Sequence, residues 1–195
     1  MSPHSEYPWT IRDRFLELHS RWMTLIAEHL QDHQGNVLEY WRIEKADSVI
    51  VLPIQHLEVT MPTNRRILLP MPSYRPGIGQ ATLDLPGGRL AEGHNPQQSA
   101  IAILQRELGI ETTSIDQLIP LNSTGWAVNS SFSNQKLYAF VAHLDSIPHL
   151  DQSTILSYPT TATGIQQLLQ DLTCLQCRAV LLEWWLRQDA RQRDV

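Results

Sequence analysis

The chain has 195 residues, of which 42% are hydrophobic and 18% charged, with 20 acidic residues against 15 lysines and arginines. This composition predicts one soluble globular domain and excludes a disordered chain. The net charge of −5 argues against nucleic acid as the main partner, because phosphate binding needs a basic face. No apolar stretch reaches the roughly 18 to 20 residues of a membrane span, and no signal-peptide pattern is visible, so we expect a cytoplasmic protein without a membrane partner.

Residues 1–44 are predicted to form an N-terminal arm, a helix followed by a β-hairpin. Large apolar side chains of the arm recur at steps of four and three, which is typical of one helix face: Ile11, Phe15, Leu18, Trp22 and Leu25. From Trp22 onward the pattern is ambiguous, since alternate residues would suit a strand equally well. The turn-forming segment 31–36 separates two apolar runs and favours a hairpin. We expect the arm to pair with the main sheet or with a second subunit.

Residues 45–187 are predicted to form the main domain, followed by a polar tail at 188–195. Apolar and β-branched runs predict strands at 48–54, 66–70, 81–85 and 137–144. A final helix is expected from about 172 to 187. Strands with a central and a final helix predict an α/β or α+β sandwich, in which helices pack on a mixed β-sheet.

The central helix has clear start and stop signals. Asn95 is placed as its N-cap, Pro96 as its first residue and Gln98 at the capping-box position. Gly109 is placed to end it. The apolar residues between them predict one buried face: Ala100, Ile101, Ile103, Leu104 and Leu108.

The two cysteines, Cys174 and Cys177, are separated by two residues. Two sulfurs supply half of a tetrahedral zinc site, and no second cysteine pair offers the other half. A redox pair would sit at the start of a helix, whereas these cysteines lie within one long apolar pattern. The sequence therefore favours core thiols over a redox or metal role.

The stretch 74–110 carries a more specific signal. It reads Tyr-Arg-Pro-Gly, then Leu-Asp-Leu-Pro-Gly-Gly, a loop, the capped helix and Arg-Glu-Leu-Gly-Ile. A glycine turn before a short helix is found where a backbone approaches phosphates or a metal. The whole stretch resembles the Nudix hydrolases, and among them the ADP-ribose and ADP-sugar pyrophosphatases. Segments 40–54, 133–142 and 172–186 resemble the strand pair, later strand and closing helix of that family, which implies a Nudix α/β/α sandwich.

The Nudix box aligns without a gap over residues 88–110, but most of its acidic residues are replaced. With Gly88 on the first box glycine, Gly109 and Ile110 fall on the last two positions. His94 stands where the first glutamate belongs. Ala102 and Ile103 replace Arg-Glu, and Arg106 replaces the first residue of Glu-Glu. Glu107 is the one box glutamate that remains.

This replacement has a direct physical consequence for metal binding. Mg²⁺ prefers octahedral oxygen ligands, usually carboxylates with water and substrate phosphate. Positions 103, 106 and 107 lie on one face of a helix, where three carboxylates would carry a charge of about −3. This sequence places Ile103, Arg106 and Glu107 there, with a summed charge of about zero. We therefore expect Mg²⁺ binding to be weak or absent.

The resemblance and the residues together give the candidate site. The resemblance implies that Glu107 and the Gly87 carbonyl bind metal, that Glu107 is catalytic, and that Arg75 contacts phosphate. Glu107 could instead pair with Arg106 or Arg89, and Arg75 could cap carbonyls. Trp126 could stack on an adenine or cover the core. Glu92 and Glu111 lie nearby and could also contribute to a metal site. In the later loop, where the family often has a catalytic glutamate, the acids are Asp145 and Asp151.

Two functional hypotheses remain. The residues favour a Nudix-like protein that keeps a cleft for a nucleotide-sugar-like small molecule and has weak or lost metal-dependent hydrolysis. The alternative is an active Mg²⁺-dependent hydrolase of ADP-ribose or an ADP-sugar that uses Glu107 and acids outside the box. Dimers built on the N-terminal arm are frequent in the family, so the resemblance also implies a homodimer.

Overall fold

The computed structural model describes residues 9–57, 64–145 and 153–193, the last five of these for their backbone only. The described residues form two compact units. One contains residues 9–46 and 127–136, and the other contains residues 47–57, 64–126, 137–145 and 153–193. We call them the arm unit and the main unit.

The arm unit contains a three-stranded antiparallel sheet in chain order. Its strands are β1 (Thr10–His19), β2 (Thr24–Gln31) and β3 (Val37–Glu44). The predicted hairpin is confirmed as β2–β3. In its turn, the Asp32 carboxylate accepts hydrogen bonds from the backbone N–H groups of Gln34 and Asn36, and Gly35 adopts a φ of 87°.

The helix predicted near the start of the arm is wrong, because strand β1 occupies that segment. Register shifts lie between Ile11 and Asp13 and between Arg14 and Leu16. Such irregularities insert extra residues into a strand and break the strict alternation of side chains. As a result, apolar residues of this strand are spaced by three and four positions, which is also the spacing of a helix face.

A buried carboxylate fixes the middle of this sheet. Glu28 on β2 is 1% exposed and accepts hydrogen bonds from two arginines on the neighbouring strands. Arg14 Nε donates to Glu28 Oε1 at 2.9 Å, and Arg42 Nε donates to Glu28 Oε2 at 3.1 Å. The bond from Arg42, the largest contribution, and the bond from Arg14 lower the pKa of Glu28 below its usual 4.5.

We expect Glu28→Gln to cost about 2 kcal/mol of stability at pH 7, because it removes charge-assisted bonds from a buried group. A carboxyl whose pKa is lowered by folding stabilises the native state at pH values above its pKa in the unfolded chain. This stabilisation is lost as the pH falls through its pKa in the folded state. The difference in melting temperature between wild type and Glu28→Gln should therefore be largest at neutral pH and shrink below about pH 4.5. Glu39→Gln, at an exposed position on β3, is the matched control. An unchanged difference at pH 3 would contradict this role.

The main unit is organised around a mixed sheet. Its strands are β4 (Ser48–His56), β5 (Arg65–Pro70), β8 (Gly87–Arg89), β9 (Ile115–Pro120), β10 (Trp126–Ala127), β11 (Lys136–Leu144) and β12 (Ile155–Pro159). The strand order is β10-β11-β4-β5-β12. Strand β4 pairs in parallel with β11 and antiparallel with β5 and β8, and β9 pairs antiparallel with β11. Strands β6 (Ser73–Arg75) and β7 (Gln80–Thr82) form a separate hairpin.

In the part of the chain that the structure describes, three α-helices accompany the main sheet: α1 (Pro96–Leu108), α2 (Ala162–Asp171) and α3 (Leu175–Arg193). The predicted caps of α1 are confirmed. Asn95 and Gln98 form the reciprocal capping box, and Gly109 ends the helix with a φ of 65°. The buried face of α1 packs into a core with β4, β5 and β11 that includes Val51, Leu68, Ile103, Leu104 and Phe140.

The helix predicted from about 172 to 187 is confirmed as α3, which starts and ends later than predicted, whereas the sequence did not predict α2. Helix α2 ends at Asp171, and α3 begins at Leu175 and continues to Arg193, through most of the segment predicted as a tail. Between them Leu172 is extended and forms a β-bridge with Leu83. Both helices bury apolar residues, so the apolar pattern runs through the break. None of the helices in the described part of the chain is long and apolar enough to cross a membrane.

The strand predicted at 81–85 is also corrected. Regular pairing stops at Thr82, where β7 ends, and Leu83 pairs instead with Leu172. Leu83 and Leu85 are both buried and alternate as in a strand, which explains the prediction, but neither pairs with β6.

Candidate functional site

The predicted site is built where strand β8 passes the last turns of α1. Gly87 pairs with Ile50 of β4, and a Cβ at Gly87 would lie 3.3 Å from the carbonyl oxygen of Val49. A Cβ at Gly88 would lie 3.0 Å from Arg106 Nη2 and 3.5 Å from Ile103 Cδ1. The two glycines therefore allow the strand backbone to approach both its neighbour and the helix.

Arg106 joins the groups that the sequence assigned to metal binding. Its Nη2 donates to the Gly87 carbonyl oxygen at 3.1 Å and to Glu107 Oε1 at 2.6 Å. The other carboxylate oxygen, Glu107 Oε2, accepts a hydrogen bond from the Gly87 N–H at 3.2 Å. Both oxygens of Glu107 and the Gly87 carbonyl are thus engaged in one network, which we call the arginine clamp.

The other replaced box positions have different surroundings. Ile103 is 1% exposed and belongs to the core, whereas Ala102, the preceding residue of the helix, is exposed. His94 is exposed in the loop before α1, where its backbone N–H donates to the Ala91 carbonyl. The helix therefore presents Arg106 and Glu107 to the site while Ile103 supports them from the core.

Arg75 lies at the end of β6 and pairs with a carboxylate. Its Nε and Nη2 each lie 2.7 Å from Asp84 Oδ2, which also accepts a bond of 3.0 Å from the Thr82 hydroxyl. Trp126 is partly buried in β10. Within the described residues, neither Arg75 nor Trp126 hydrogen-bonds to Glu107. A phosphate contact by Arg75 and stacking of an adenine on Trp126 therefore stay predictions.

Three of the other candidate acids are exposed: Glu92, Glu111 and Asp145. Glu111 accepts a long hydrogen bond of 3.4 Å from Gln105 Nε2. Asp151 lies outside the described residues. The contacts of these acids in the described part of the chain add no ligand to the arginine clamp.

The prediction of core thiols is confirmed for Cys177, which is buried, but Cys174 is only partly buried and both lie at the start of a helix. Cys174 immediately precedes α3, whose Arg178 N–H donates to the Cys174 carbonyl, and Cys177 is buried in the first turn. A bond from the Cys177 thiol and backbone N–H groups of the same turn lower the pKa of the Cys174 thiol. Asp84 lies beside them, although it is far away in sequence and no spacing rule indicated it.

Comparison with known proteins identifies the architecture. No family model and no curated protein matches this chain. A solved structure described as an ADP compounds hydrolase matches with a TM-score of 0.65 and 18% sequence identity, over 94% of this chain and 96% of that one. The chain has the Nudix fold. At this identity, the likeness establishes the fold alone.

A Nudix fold implies Mg²⁺, and the arginine clamp tests whether this chain suits that ion. Mg²⁺ requires several oxygen ligands in near-octahedral geometry. Here the cationic guanidinium of Arg106 already binds the Gly87 carbonyl and the Glu107 carboxylate. The neighbouring position on the helix, Ile103, offers no oxygen. This donor set does not fit Mg²⁺, because one carboxylate beside a fixed cation leaves almost no net negative charge for a divalent ion.

Proposed function

We propose that this chain binds a nucleoside diphosphate linked to a second moiety, of the ADP-ribose or ADP-sugar class, and that its metal-dependent hydrolysis is weak or lost. The observation that carries the proposal is the arginine clamp. In the place assigned to metal ligands, a protein cation contacts the Gly87 carbonyl and Glu107. The description of the structural match as an ADP compounds hydrolase supports the ligand class.

The chemistry of Arg106 suits a diphosphate. A guanidinium keeps its charge at all physiological pH values and presents several N–H donors in a planar fork, which matches phosphate oxygens. The Arg106 side chain is 58% exposed, so it can meet a ligand from the solvent side. Gly87 and Glu107 hold its Nη2 in place from the protein side. Arg106 would therefore supply a prepositioned positive charge.

Hydrolysis would require more than this charge. Attack on a diphosphate needs an activated water and stabilisation of charge that develops on the leaving oxygen. Glu107 would be the natural base, but both of its carboxylate oxygens already accept hydrogen bonds, one from Arg106 and one from the Gly87 N–H. The residues present can therefore bind and orient a diphosphate without activating water efficiently.

We expect the purified protein to bind ADP-ribose in calorimetry with a chelator present, and Arg106→Gln to weaken that binding about tenfold, since it removes a charge-assisted contact. Arg12→Gln, at an exposed position on β1, changes the net charge equally and should leave the affinity unchanged. Arg75→Gln tests the second predicted phosphate contact.

The competing hypothesis is tested in the same samples. Hydrolysis of ADP-ribose is followed with Mg²⁺ or Mn²⁺ in wild type and in Glu107→Gln. Turnover at ordinary rates that Glu107→Gln abolishes would establish the metal-dependent hydrolase. Binding that requires added metal would also contradict a role for Arg106 in place of the ion.

A homodimer built on the arm unit is part of this proposal. Monomeric proteins rarely expose large contiguous apolar patches. The arm sheet exposes large apolar side chains, and the rings of Phe15 and Trp41 are in edge contact, with centroids 6.0 Å apart. The exposed apolar residues on its strands are Ile11, Phe15, Leu18, Val37, Leu38 and Trp41. Their burial between two chains would supply the driving force for association.

Light scattering coupled to gel filtration should give twice the mass of one chain for the wild type. Phe15→Glu should shift the protein toward one chain, because a charge would have to be buried at the interface. Leu186→Glu, at another exposed apolar position on α3, is the control and should stay dimeric. A monomeric wild type at micromolar concentration would overturn the dimer. The cytoplasmic location stays a prediction from sequence.

A further inference from the structure

We propose that Asp84, Cys174 and Cys177 form a binding site for a divalent metal ion of the zinc class. Their ligand atoms, one carboxylate oxygen and two sulfurs, all lie within 4.8 Å of one another. This site is separate from the arginine clamp in its residues and its chemistry. It does not depend on nucleotide binding.

The fold brings the three residues together from two distant segments. The bridge between Leu83 and Leu172 aligns the end of the β6–β7 hairpin with the break between α2 and α3. Asp84 follows directly after one end of this bridge, and Cys174 lies two residues after the other. Cys177 is one helical turn further, so that both sulfurs are near Asp84.

The distances suit one tetrahedral ion. With Zn–S bonds of about 2.3 Å, two thiolates bound to the same tetrahedral ion stand about 3.8 Å apart. Cys177 Sγ already lies 4.0 Å from Asp84 Oδ1. To bind one ion, the carboxylate oxygen and the two sulfurs would have to move closer together by about 1 Å. Rotation of the Cys174 side chain can supply this movement.

The surrounding hydrogen bonds orient the ligands. Arg75 and Thr82 both donate to Asp84 Oδ2, which directs the other oxygen, Oδ1, toward the Cys177 sulfur. The Leu85 N–H points at the Cys177 sulfur, at 3.4 Å. Outer-shell donors of this kind fix first-shell ligands and are a regular part of metal sites.

Ligand type and charge select the class of ion. Two sulfur ligands favour zinc and similar soft or borderline ions over Mg²⁺ and Ca²⁺. Two thiolates and one carboxylate carry about −3, which a divalent ion and the Arg75 guanidinium would balance. Each thiol that binds releases its proton.

Burial indicates where the fourth ligand would come from. Cys177 is 2% exposed and the Asp84 side chain 13% exposed, while Cys174 is only partly buried. Three protein ligands leave one position of a tetrahedral ion for water, on the more accessible side near Cys174. The bound ion would tie the start of α3 to the segment after β7 and stabilise the folded state by mass action.

The test is titration of the reduced, full-length protein with Co²⁺, a spectroscopic substitute for zinc. We expect the visible bands of tetrahedral Co²⁺ and sulfur-to-cobalt charge-transfer bands, saturating at one ion per chain and lost on addition of an equivalent of Zn²⁺. Zn²⁺ should also raise the melting temperature of the wild type.

Three variants make the test specific. Cys174→Ser, at a partly buried position that tolerates serine, should lose the charge-transfer bands and the thermal shift. Asp84→Asn should weaken Co²⁺ binding at least tenfold. Asp116→Asn removes a carboxylate at an exposed position on β9, outside the site, so it should keep the bands. Circular dichroism confirms that each variant is folded.

Two results would overturn the site. One is a reduced wild type that shows no cobalt bands. The site would then be overturned even if the two cysteines form a disulfide with each other on oxidation. The other is a Cys174→Ser variant whose bands equal those of the wild type, since the metal would then be bound elsewhere.

Discussion

Replacing Ile103 with glutamate should lower the free energy of unfolding by about 4 kcal/mol, although glutamate is the residue that the Nudix box has at this position. Ile103 is 1% exposed and packs among core residues of α1, β4 and β11. A carboxylate there would be ionised without a partner or protonated at a cost. Urea denaturation followed by circular dichroism measures the loss.

Two controls separate charge from burial in this experiment. Ala102→Glu adds the same charge one residue earlier, at an exposed position, and should change stability by no more than about 0.5 kcal/mol. Ile103→Val keeps an apolar side chain and should cost about 1 kcal/mol. If Ile103→Glu were as stable as Ala102→Glu, the placement of Ile103 in the core would be wrong. The expected result also means that a variant with all box glutamates restored could unfold. Its stability would have to be measured before its catalytic activity is interpreted.

Gly164→Ala should destabilise the protein by about 2 kcal/mol, in spite of the higher helix propensity of alanine. Gly164 lies in the first turn of α2, where a Cβ would stand 2.1 Å from the carbonyl oxygen of Pro159. Backbone atoms cannot yield as a flexible side chain can, so the helix would have to move away from β12. The melting temperature and urea midpoint should both fall.

Gln166→Ala is the matched substitution for this prediction, since it places alanine at an exposed position in the same helix. Its stability should be unchanged or slightly higher because alanine is the best helix former. A Gly164→Ala variant as stable as Gln166→Ala would show that α2 does not pack so closely on the end of β12.

The parts of the fold that could be predicted from sequence are those fixed by local chemistry. The ends of α1 follow from Asn95, Gln98 and Gly109, whose side chains or backbone freedom satisfy the helix termini within one turn. Strand β4 follows from a continuous run of buried residues, which suits a strand covered on both faces.

The errors arise where distant contacts override the local pattern. In the arm, register irregularities within β1 produced apolar spacings that also fit a helix. Near the C-terminus, Leu172 pairs with Leu83 in extended backbone, so α3 begins after Leu172 and not at it. Both depend on partners that a local period cannot reveal.

The candidate site shows the same division. The pairing of Glu107 with Arg106 could be foreseen as an alternative, because the two residues are adjacent on the helix. The bond from Arg106 to the Gly87 carbonyl depends on how α1 packs on β8. The approach of Asp84 to the cysteines depends on a contact across about ninety residues, with no characteristic spacing.

The arginine clamp also reverses how dissolved magnesium should influence ligand capture. In a site that needs the ion, a magnesium-complexed nucleotide is the preferred form, and adding the ion strengthens binding. A site with its own cation prefers the uncomplexed diphosphate, because Arg106 and Mg²⁺ would compete for the same phosphate oxygens. Such a protein would take up most ligand when free magnesium is scarce, and its occupancy would follow the ionic conditions as well as the nucleotide concentration.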